Sequence, residues 1–550
     1  MFSEDTQGLE FSFNSDMADF EQSINPIESG TIPDSLFPEP TGQYNVGTTS
    51  YNFVDPEREE IYTEDENDHR EITARVWYPS QDVTDAAPEA YLNPELTSAI
   101  ASELEIPNED LLGVTQFLTT NSVPDAPLAE DQSEYPVLVF SHGFGGLPEF
   151  NTIKAEELAS QGYVVVGINH TYDSIASVLA DGETVPQSPV FDVENQSEIL
   201  ELLGESVDIR AEDAQFVLDE LTKIDAGDDP DELFSGHLDL EKVGIFGYSL
   251  GGATAAQVLA EDHRFQAGIN LDGGLFGDAA NASLDQPFMI LNNEAFGQGT
   301  SSSPEEKQFN QLQQSFVENL QNDGYEVTIL GTEHSSFNDL PFLLPSLLNS
   351  GIELGELGEL ANSDNDDFEA IDPQLASTII NDYTLAFFDR YLNDEPSSLL
   401  TEDMSSIYPE VIFQAYPGEN SNSQVAVAES ESNTIYASDA GILGTGDILI
   451  GGEDSDLFYS NSQGRSTFTG NDGADQFWIA TDEVPEQANT IIDFASGEDV
   501  IGIAGLGIGF DDLQISQQED NTLIAVNGSD LAFLQSFDSA SLTSDDFAFG

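Results

Sequence analysis

Six consecutive residues, Gly247-Tyr248-Ser249-Leu250-Gly251-Gly252, carry the most specific chemistry in the chain. They follow the apolar run Val243-Gly244-Ile245-Phe246 and lead into Ala253-Thr254-Ala255-Ala256-Gln257-Val258-Leu259. The pattern predicts a buried strand, a Gly-x-Ser-x-Gly turn and a helix, the local grammar of a nucleophilic serine. Glycines flank that serine because so sharp a turn brings strand and helix too close together for a Cβ. The turn exposes the Ser249 hydroxyl and points the helix N-terminus at a developing oxyanion. The chemistry expected is acyl transfer from an ester.

Such a serine needs a base, an acid that orients the base, and oxyanion donors. The chain has only six histidines, so the candidates for the base can be enumerated. His69 falls in a charged loop between two early strands, His237 in a loop before the serine's strand, and His263 at the far end of the following helix. His142 lies in Ser141-His142-Gly143-Phe144-Gly145-Gly146, a loop whose glycines can turn a backbone N–H toward substrate. His170 ends the next strand and is expected to pack beside the pocket. His334, in Gly331-Thr332-Glu333-His334-Ser335-Ser336-Phe337, alone lies downstream of Ser249 on a strand-exit loop. In the chain order Ser, Asp/Glu, His it is the expected base, with His170 behind it. That placement weakens the competing reading of a surface-loop histidine. Two carboxylates could orient it. Asp272 ends the apolar run 267–271 and Glu294 follows 288–291. Generic topology slightly favours Glu294; the residues alone leave both open, and either could cap a strand end in water.

The elements that must position these groups alternate in type. Residues 46–49 and 73–79 read as paired antiparallel strands separated by an acidic loop. Runs 136–140, 163–168, 267–271, 288–291 and 325–330 read as strands, and helical patterns occupy 153–161, 207–222 and a segment ending near 321. Unbroken apolar strands between amphipathic helices predict a mostly parallel sheet covered on both faces, the α/β class. Residues 1–40 read as a flexible acidic lead and 41–418 as the catalytic domain. Gly418-Glu419-Asn420-Ser421-Asn422-Ser423 reads as a linker.

Length and charge bound the rest. At 550 residues two or more domains are expected. Lys and Arg number 11 against 105 Asp and Glu, a net charge of −94. That charge excludes nucleic acid as a partner, because phosphate contacts dominate such binding, and disfavours anionic membranes. With 39% hydrophobic and 10% aromatic residues, wholesale disorder is not expected. The acidity then reads as a salt-adapted or calcium-rich exterior. Cysteine is absent, which excludes disulfides and thiolate-bound zinc. No stretch approaches the roughly 18 apolar residues that span a bilayer, so a soluble protein is expected. The start Met1-Phe2-Ser3-Glu4-Asp5 has no basic region followed by an apolar one, so an export address is expected elsewhere.

Several segments together resemble the plasma-type platelet-activating-factor acetylhydrolase family of α/β-hydrolases. They are Ser249 through Thr254, 261–272, Phe140-Ser141-His142-Gly143-Phe144-Gly145, Leu158-Ala159-Ser160-Gln161-Gly162-Tyr163, Leu291-Asn292-Asn293-Glu294-Ala295-Phe296 and His334-Ser335-Ser336-Phe337-Asn338-Asp339. The resemblance runs from about 44 to 392. It implies that the acid is Asp272, 23 residues after Ser249. It further implies oxyanion donors at the Phe144 and Leu250 backbone N–H groups, and catalysis without a metal. The substrates implied are short or truncated acyl esters of a phospholipid-like kind, with other esters as the alternative. Tyr248 departs from the family's histidine, and the acidic segment 181–205 is an added stretch that could rim or cover the pocket.

Residues 419–550 follow another grammar. Lysine disappears and Arg465 is the only basic residue. Gly451-Gly452-Glu453-Asp454-Ser455-Asp456-Leu457-Phe458 and Gly470-Asn471-Asp472-Gly473-Ala474-Asp475-Gln476-Phe477 approximate the Gly-Gly-x-Gly-x-Asp-x-apolar repeat of calcium-binding β-rolls. Each departs from it once, and their offset of 19 residues is one more than two nine-residue periods. Asp456 and Asp475 are the expected Ca²⁺ ligands, with backbone carbonyls at Gly452 and Gly473. A metal-free acidic turn is the competing reading. This region resembles RTX exoproteins, through Ile492-Asp493-Phe494 and Gly497-Glu498-Asp499-Val500-Ile501, and its end Asp545-Asp546-Phe547-Ala548-Phe549-Gly550 resembles an uncleaved type I secretion signal. The resemblance implies an extracellular protein that folds on meeting calcium outside, after passing the type I secretion machinery. A non-enzymatic calcium-dependent surface protein with a vestigial hydrolase domain remains the reading from outside the enzyme class.

Overall fold

A computed structural model describes residues 37–549 except 64, 66, 82–85, 105, 192–195, 229–232, 278–279, 281–283, 298–311, 318, 350–369, 396, 401–406, 417–424, 428–433, 437–447, 453–454, 461–465, 472, 482–483, 486–487 and 519–520. The expected linker at 418–423 and most of the acidic lead lie outside the described residues. The chain divides into two compact units, the first containing most of the chain up to Gln414 and the second Ala415–Gly550.

The first unit is built on a ten-stranded sheet. Its strands are β1 (Asn45–Glu59), β2 (His69–Ser80), β3 (Val123–Pro124), β4 (Tyr135–Ser141) and β5 (Val164–Asn169). A small separate hairpin, β6 (Ala176–Val178) and β7 (Thr184–Pro186), precedes β8 (Leu238–Tyr248), β9 (Phe265–Leu271), β10 (Phe288–Asn293), β11 (Gly324–Ile329) and β12 (Val411–Tyr416). The order across the sheet is β12-β11-β10-β9-β8-β4-β5-β2-β1-β3. From β5 to β11 every neighbouring pair is parallel. Burial explains the composition: all seven residues of β4 and all six of β5 are buried, so neither face could tolerate polar alternation. The principal helices are α1 (Pro94–Glu103), α2 (Asn108–Thr115), α3 (Thr152–Ser160), α4 (Gln196–Lys223), α5 (Leu250–Glu261), the single turn α6 (Glu294–Gly297), α7 (Leu340–Asn349) and α8 (Pro373–Leu392). Helix α4 packs on α5, and α8 packs on α3, giving the two helical layers.

β4 sits between β5 and β8, so the chain leaves it toward one edge and returns on the other side. Such a switch point opens a crevice at the carboxyl ends of the strands. Register brings those ends level: Ser141 pairs with Gly247, Tyr248 with Leu271, and Leu271 with Leu291. The loops bearing His142, Ser249, Asp272 and Glu294 therefore leave the sheet side by side.

Two sequence expectations change. The supposed acidic loop between the first strands is mostly strand, because exposed Asn52 and Val54 alternate with buried Phe53 and Asp55; β1 and β2 pair from Asn45–Ser80 to Asp55–Arg70, and His69 opens β2 instead of lying in a loop. The helix expected at 207–222 begins at Gln196, since Leu203 extends the buried stripe of Val207, Ala211, Ala214 and Val217. Residues 196–205, the last ten of the 25 in the extra acidic segment, are thus helical.

In the second unit the strands alternate between two sheets, as in a coil pressed flat. One sheet stacks Val425–Val427, Ile448–Ile450, Thr467–Thr469, Asn489–Ile491 and Ser529–Leu534 in parallel, and carries two further antiparallel strands, Leu513–Gln518 and Asn521–Val526. The other stacks Thr434–Tyr436, Leu457–Tyr459, Gln476–Thr481, Val500–Ala504 and Phe547–Phe549. The 19-residue offset seen in the sequence is one complete coil here, since Ile448 pairs with Thr467 and Leu457 with Gln476. Phe458 and Phe477 stack inside it with centroids 5.0 Å apart, packed among Phe468, Ile491 and Ile501.

Candidate active site

Ser249 has φ 54° and ψ −120°, a conformation that costs a non-glycine residue on the order of 1–3 kcal/mol. Crowding holds it there. A Cβ at Gly247 would lie 2.0 Å from the Gly251 carbonyl oxygen, and one at Gly252 would lie 1.9 Å from Asn270 Oδ1. Asn270 in turn clamps Gly273 through both its N–H and its carbonyl, at 2.8 Å each. The Ser249 N–H donates to Leu271 O at 2.9 Å, tying the turn to the neighbouring strand.

His334 Nε2 lies 3.1 Å from Ser249 Oγ, and its Nδ1 lies 2.7 Å from Asp272 Oδ2. Asp272 itself has φ 55°, its side chain is 1% exposed, and it accepts from the backbone and side-chain nitrogens of Asn293 at 2.7 and 2.8 Å. A carboxylate against Nδ1 selects the tautomer that leaves Nε2 free to accept a proton from the serine. Glu294, the other acid, turns away: its Oε2 accepts the Gly331 N–H at 2.7 Å, and its own N–H donates to Thr332 O at 3.3 Å. It braces the loop that presents His334. The Tyr248 ring stacks on the imidazole at 4.9 Å and 29°, and its hydroxyl donates to the His334 carbonyl at 3.2 Å.

Leu250 is the first residue of α5, where a backbone N–H has no intrahelical acceptor. Phe144 is the second residue of a turn closed by Gly146 N–H on Gly143 O at 3.0 Å, with Gly145 at φ 62°. That loop lies against the serine, for a Cβ at Gly143 would come within 3.3 Å of Ser249 Cβ. The Phe144 ring meets Phe191 edge-on at 5.0 Å, and Phe191 continues to Tyr62 at 5.8 Å, so part of segment 181–205 borders this corner with aromatic surface.

The remaining histidines stand apart. His170 is fully buried, with Nε2 2.9 Å from Ser141 Oγ and Nδ1 2.9 Å from Asp213 Oδ2, so it braces the interior where sequence placed it beside the pocket. Burial pulls its pKa down to about 4 despite Asp213. His142, also buried, donates from Nδ1 to Gly143 O at 2.6 Å and accepts the His170 N–H on Nε2 at 3.2 Å. Burial, with Arg210 nearby, holds its pKa well below the usual histidine range. His69, His237 and His263 contact Arg58 O, Ser133 O and Gln286 instead. Sequence reasoning missed Asn270 and Asn293. Asn270 was discoverable as a polar residue inside an apolar strand, whereas the value of Asn293 depends on which strand adjoins Asp272.

In the second unit, Asp456 accepts the Gly452 N–H at 2.7 Å, and Asp475 Oδ1 accepts the Asp456 N–H at 2.7 Å. Asp475 Oδ2 is buried and has no hydrogen-bond partner. Burial, with Asp499, Asp456 and Asp493 around it, pushes the Asp475 pKa up to about 7. Gly451 leaves a gap in which a Cβ would lie 2.6 Å from both Asp456 Oδ2 and Gly470 O. Hard oxygens round a glycine gap suit Ca²⁺ in kind. No group of three or more His, Asp or Glu with metal-holding geometry occurs among the described residues. Gly473, at φ 139°, shapes the adjoining turn. Among the described residues no helix is long and apolar enough to cross a membrane.

A family model described as platelet-activating factor acetylhydrolase, isoform II, matches residues 29–405. The chain is 27% identical over 378 residues to the platelet-activating factor acetylhydrolase of Cavia porcellus, covering 61% of this chain and 77% of that one. It is 27% identical over 292 residues to a probable 1-alkyl-2-acetylglycerophosphocholine esterase of Arthroderma benhamiae, covering 52% and 67%. Among solved structures, a ferulic acid esterase from Streptomyces cinnamoneus aligns with a TM-score of 0.54 and 27% identity, over 68% of this chain and 98% of that one.

Proposed function

Because the chain belongs to the platelet-activating factor acetylhydrolase isoform II family and is on that footing a serine ester hydrolase, we propose that it removes short or truncated acyl groups from phospholipid-like esters by a Ser249–His334–Asp272 triad. The observation that carries the reading is the unbroken line from Ser249 Oγ through the imidazole to the Asp272 carboxylate. Ser249 Oγ attacks the ester carbonyl carbon while its proton passes to His334 Nε2, and Asp272 stabilises the resulting imidazolium. The Phe144 and Leu250 N–H groups receive the oxyanion. His334 returns the proton to the departing alkoxide, and water then repeats the sequence on the acyl-enzyme.

A fluorophosphonate probe tests the nucleophile: wild type labels and Ser249→Ala does not. Equal labelling of both, or of neither, overturns the reading, the second outcome in favour of a vestigial hydrolase domain. Rates on a 2-acetyl phospholipid against soluble p-nitrophenyl esters test the substrate class. The likeness to a ferulic acid esterase favours one alternative, a broader carboxylesterase on the same three residues, and preference for the soluble esters would support it.

The second unit belongs to the same proposal as an RTX-like module that binds structural Ca²⁺, with the protein exported by the type I route to an extracellular site. The orphaned Asp475 Oδ2 and the glycine-lined coil support it. Asp456 and Asp475, with carbonyls at the Gly452 and Gly473 turns, would hold the ion, which neutralises carboxylates and lets the coils close.

A further inference from the structure

Arg210 sits in the middle of α4 with its side chain 1% exposed, in a chain that has 11 Lys and Arg against 105 Asp and Glu. Its Nε donates to Asp173 at 2.9 Å and Nη2 meets the same carboxylate, which Ser206, one turn earlier on α4, also contacts. Neutralising Asp173 leaves guanidinium donors over, and these leave the ion pair altogether. Nη1 donates to His142 O, and Nη2 reaches Gly143 O at 3.4 Å. The Gly143 carbonyl also accepts from His142 Nδ1 at 2.6 Å and from the Gly146 N–H at 3.0 Å. Three donors converge on one carbonyl oxygen.

The consequence follows from the planar trans peptide. Gly143 C=O and Phe144 N–H belong to one rigid plate and point in opposite directions, so fixing the carbonyl fixes the N–H. A cation on the carbonyl side also polarises the amide and makes its N–H a stronger donor. From this we infer that Arg210 is a positioning residue that aims the Phe144 N–H at the Ser249 oxyanion, acting through the Gly143 carbonyl. The inference rests on the ester-hydrolase reading above.

The test is a double-mutant cycle read in kcat and KM on a soluble ester. Phe144→Pro deletes the N–H while suiting the second position of this turn, which favours proline. Removing an oxyanion donor costs about 10²–10³ in kcat. Arg210→Lys keeps the charge against Asp173 but loses the fork that spans two carbonyls. It is expected to lower kcat by about 10- to 100-fold, a part of that donor's worth, with KM little changed. In the Phe144→Pro background the same change is expected to cost less than threefold, because the N–H it aims is gone. Arg210→Gln, without the charge, is expected to fall further than Arg210→Lys in the wild-type background. Multiplicative losses in the double variant, or a loss confined to KM or to thermal stability, overturn the inference. Should Arg210→Lys fail to fold, Ser206→Ala, which loosens Asp173 behind the guanidinium, goes through the same cycle with a loss of a few-fold expected. If wild type itself shows no hydrolysis or labelling, the functional reading fails rather than the role of Arg210.

Discussion

Glu294 holds the Gly331 N–H at 2.7 Å, three residues before His334, while Asp272 holds the imidazole itself at 2.7 Å. Two carboxylates on adjacent strand ends divide the work, one on the ring and one on the loop that carries it. Asp272→Asn is expected to lower kcat by about 10⁴, because an amide no longer selects the productive tautomer. Glu294→Gln, still able to accept the Gly331 N–H, is expected to cost less than tenfold. Steady-state kinetics of the two variants decide the assignment, and equal losses would reverse it.

The left-handed backbone at Ser249 makes a stability prediction of opposite sign to activity. Both Ser249→Ala and Ser249→Gly are expected to abolish turnover, but only glycine relieves the positive φ. Ser249→Gly is expected to be the more stable by about 1 kcal/mol, since relieved strain exceeds the added freedom of the unfolded chain. Urea midpoints of the two variants measure this, and a less stable glycine variant contradicts it.

Acid sensitivity is built into the Arg210–Asp173 pair. Burial alone would raise the Asp173 pKa, but the guanidinium and its hydrogen bonds prevail and hold it at about 2, below the ordinary 3.8. A depressed folded-state pKa means that the pair's stabilisation is complete above about pH 4 and disappears as pH falls toward 2. Asp173→Asn is expected to be less stable at neutral pH and to show a shallower fall in urea midpoint between pH 4 and pH 2. An unchanged slope would remove Asp173 from the acid response.

Calcium is expected to stabilise the full-length protein at concentrations of about 10⁻⁴–10⁻³ M, the range of extracellular modules. Circular dichroism melts in EDTA and in calcium read the effect, and Asp475→Ala should abolish it while leaving fluorophosphonate labelling of Ser249 intact. Identical melts with and without the ion would leave the acidic coils as metal-free turns.

Much of this protein was written in short stretches of sequence. The Gly-x-Ser-x-Gly turn, the buried strands 136–140 and 267–271, and His334 on a strand-exit loop each follow from steric or apolar rules that operate within a dozen residues. The loop reading of 50–72 failed because β1 buries a charge at Asp55 and exposes an apolar side chain at Val54, so its alternation is not one of apolar against polar residue types. In the second unit only two coils kept enough glycine and aspartate to be seen, although strands with no such motif stack in the same sheets.

The amino-acid order by itself pointed to Ser249, to His334 and to the α/β scaffold, because the turn, the strand-exit loop and the buried strands depend on local geometry and on periodic burial. The residues alone left Asp272 and Glu294 open, and the family resemblance pointed to Asp272. The tertiary structure puts Asp272 against the imidazole and Glu294 on the loop, and only it brought Arg210 of α4 to the carbonyls of the His142 loop. Both outcomes turn on strand register and on ångström-scale approach between segments distant in the chain, which no local pattern of residues encodes.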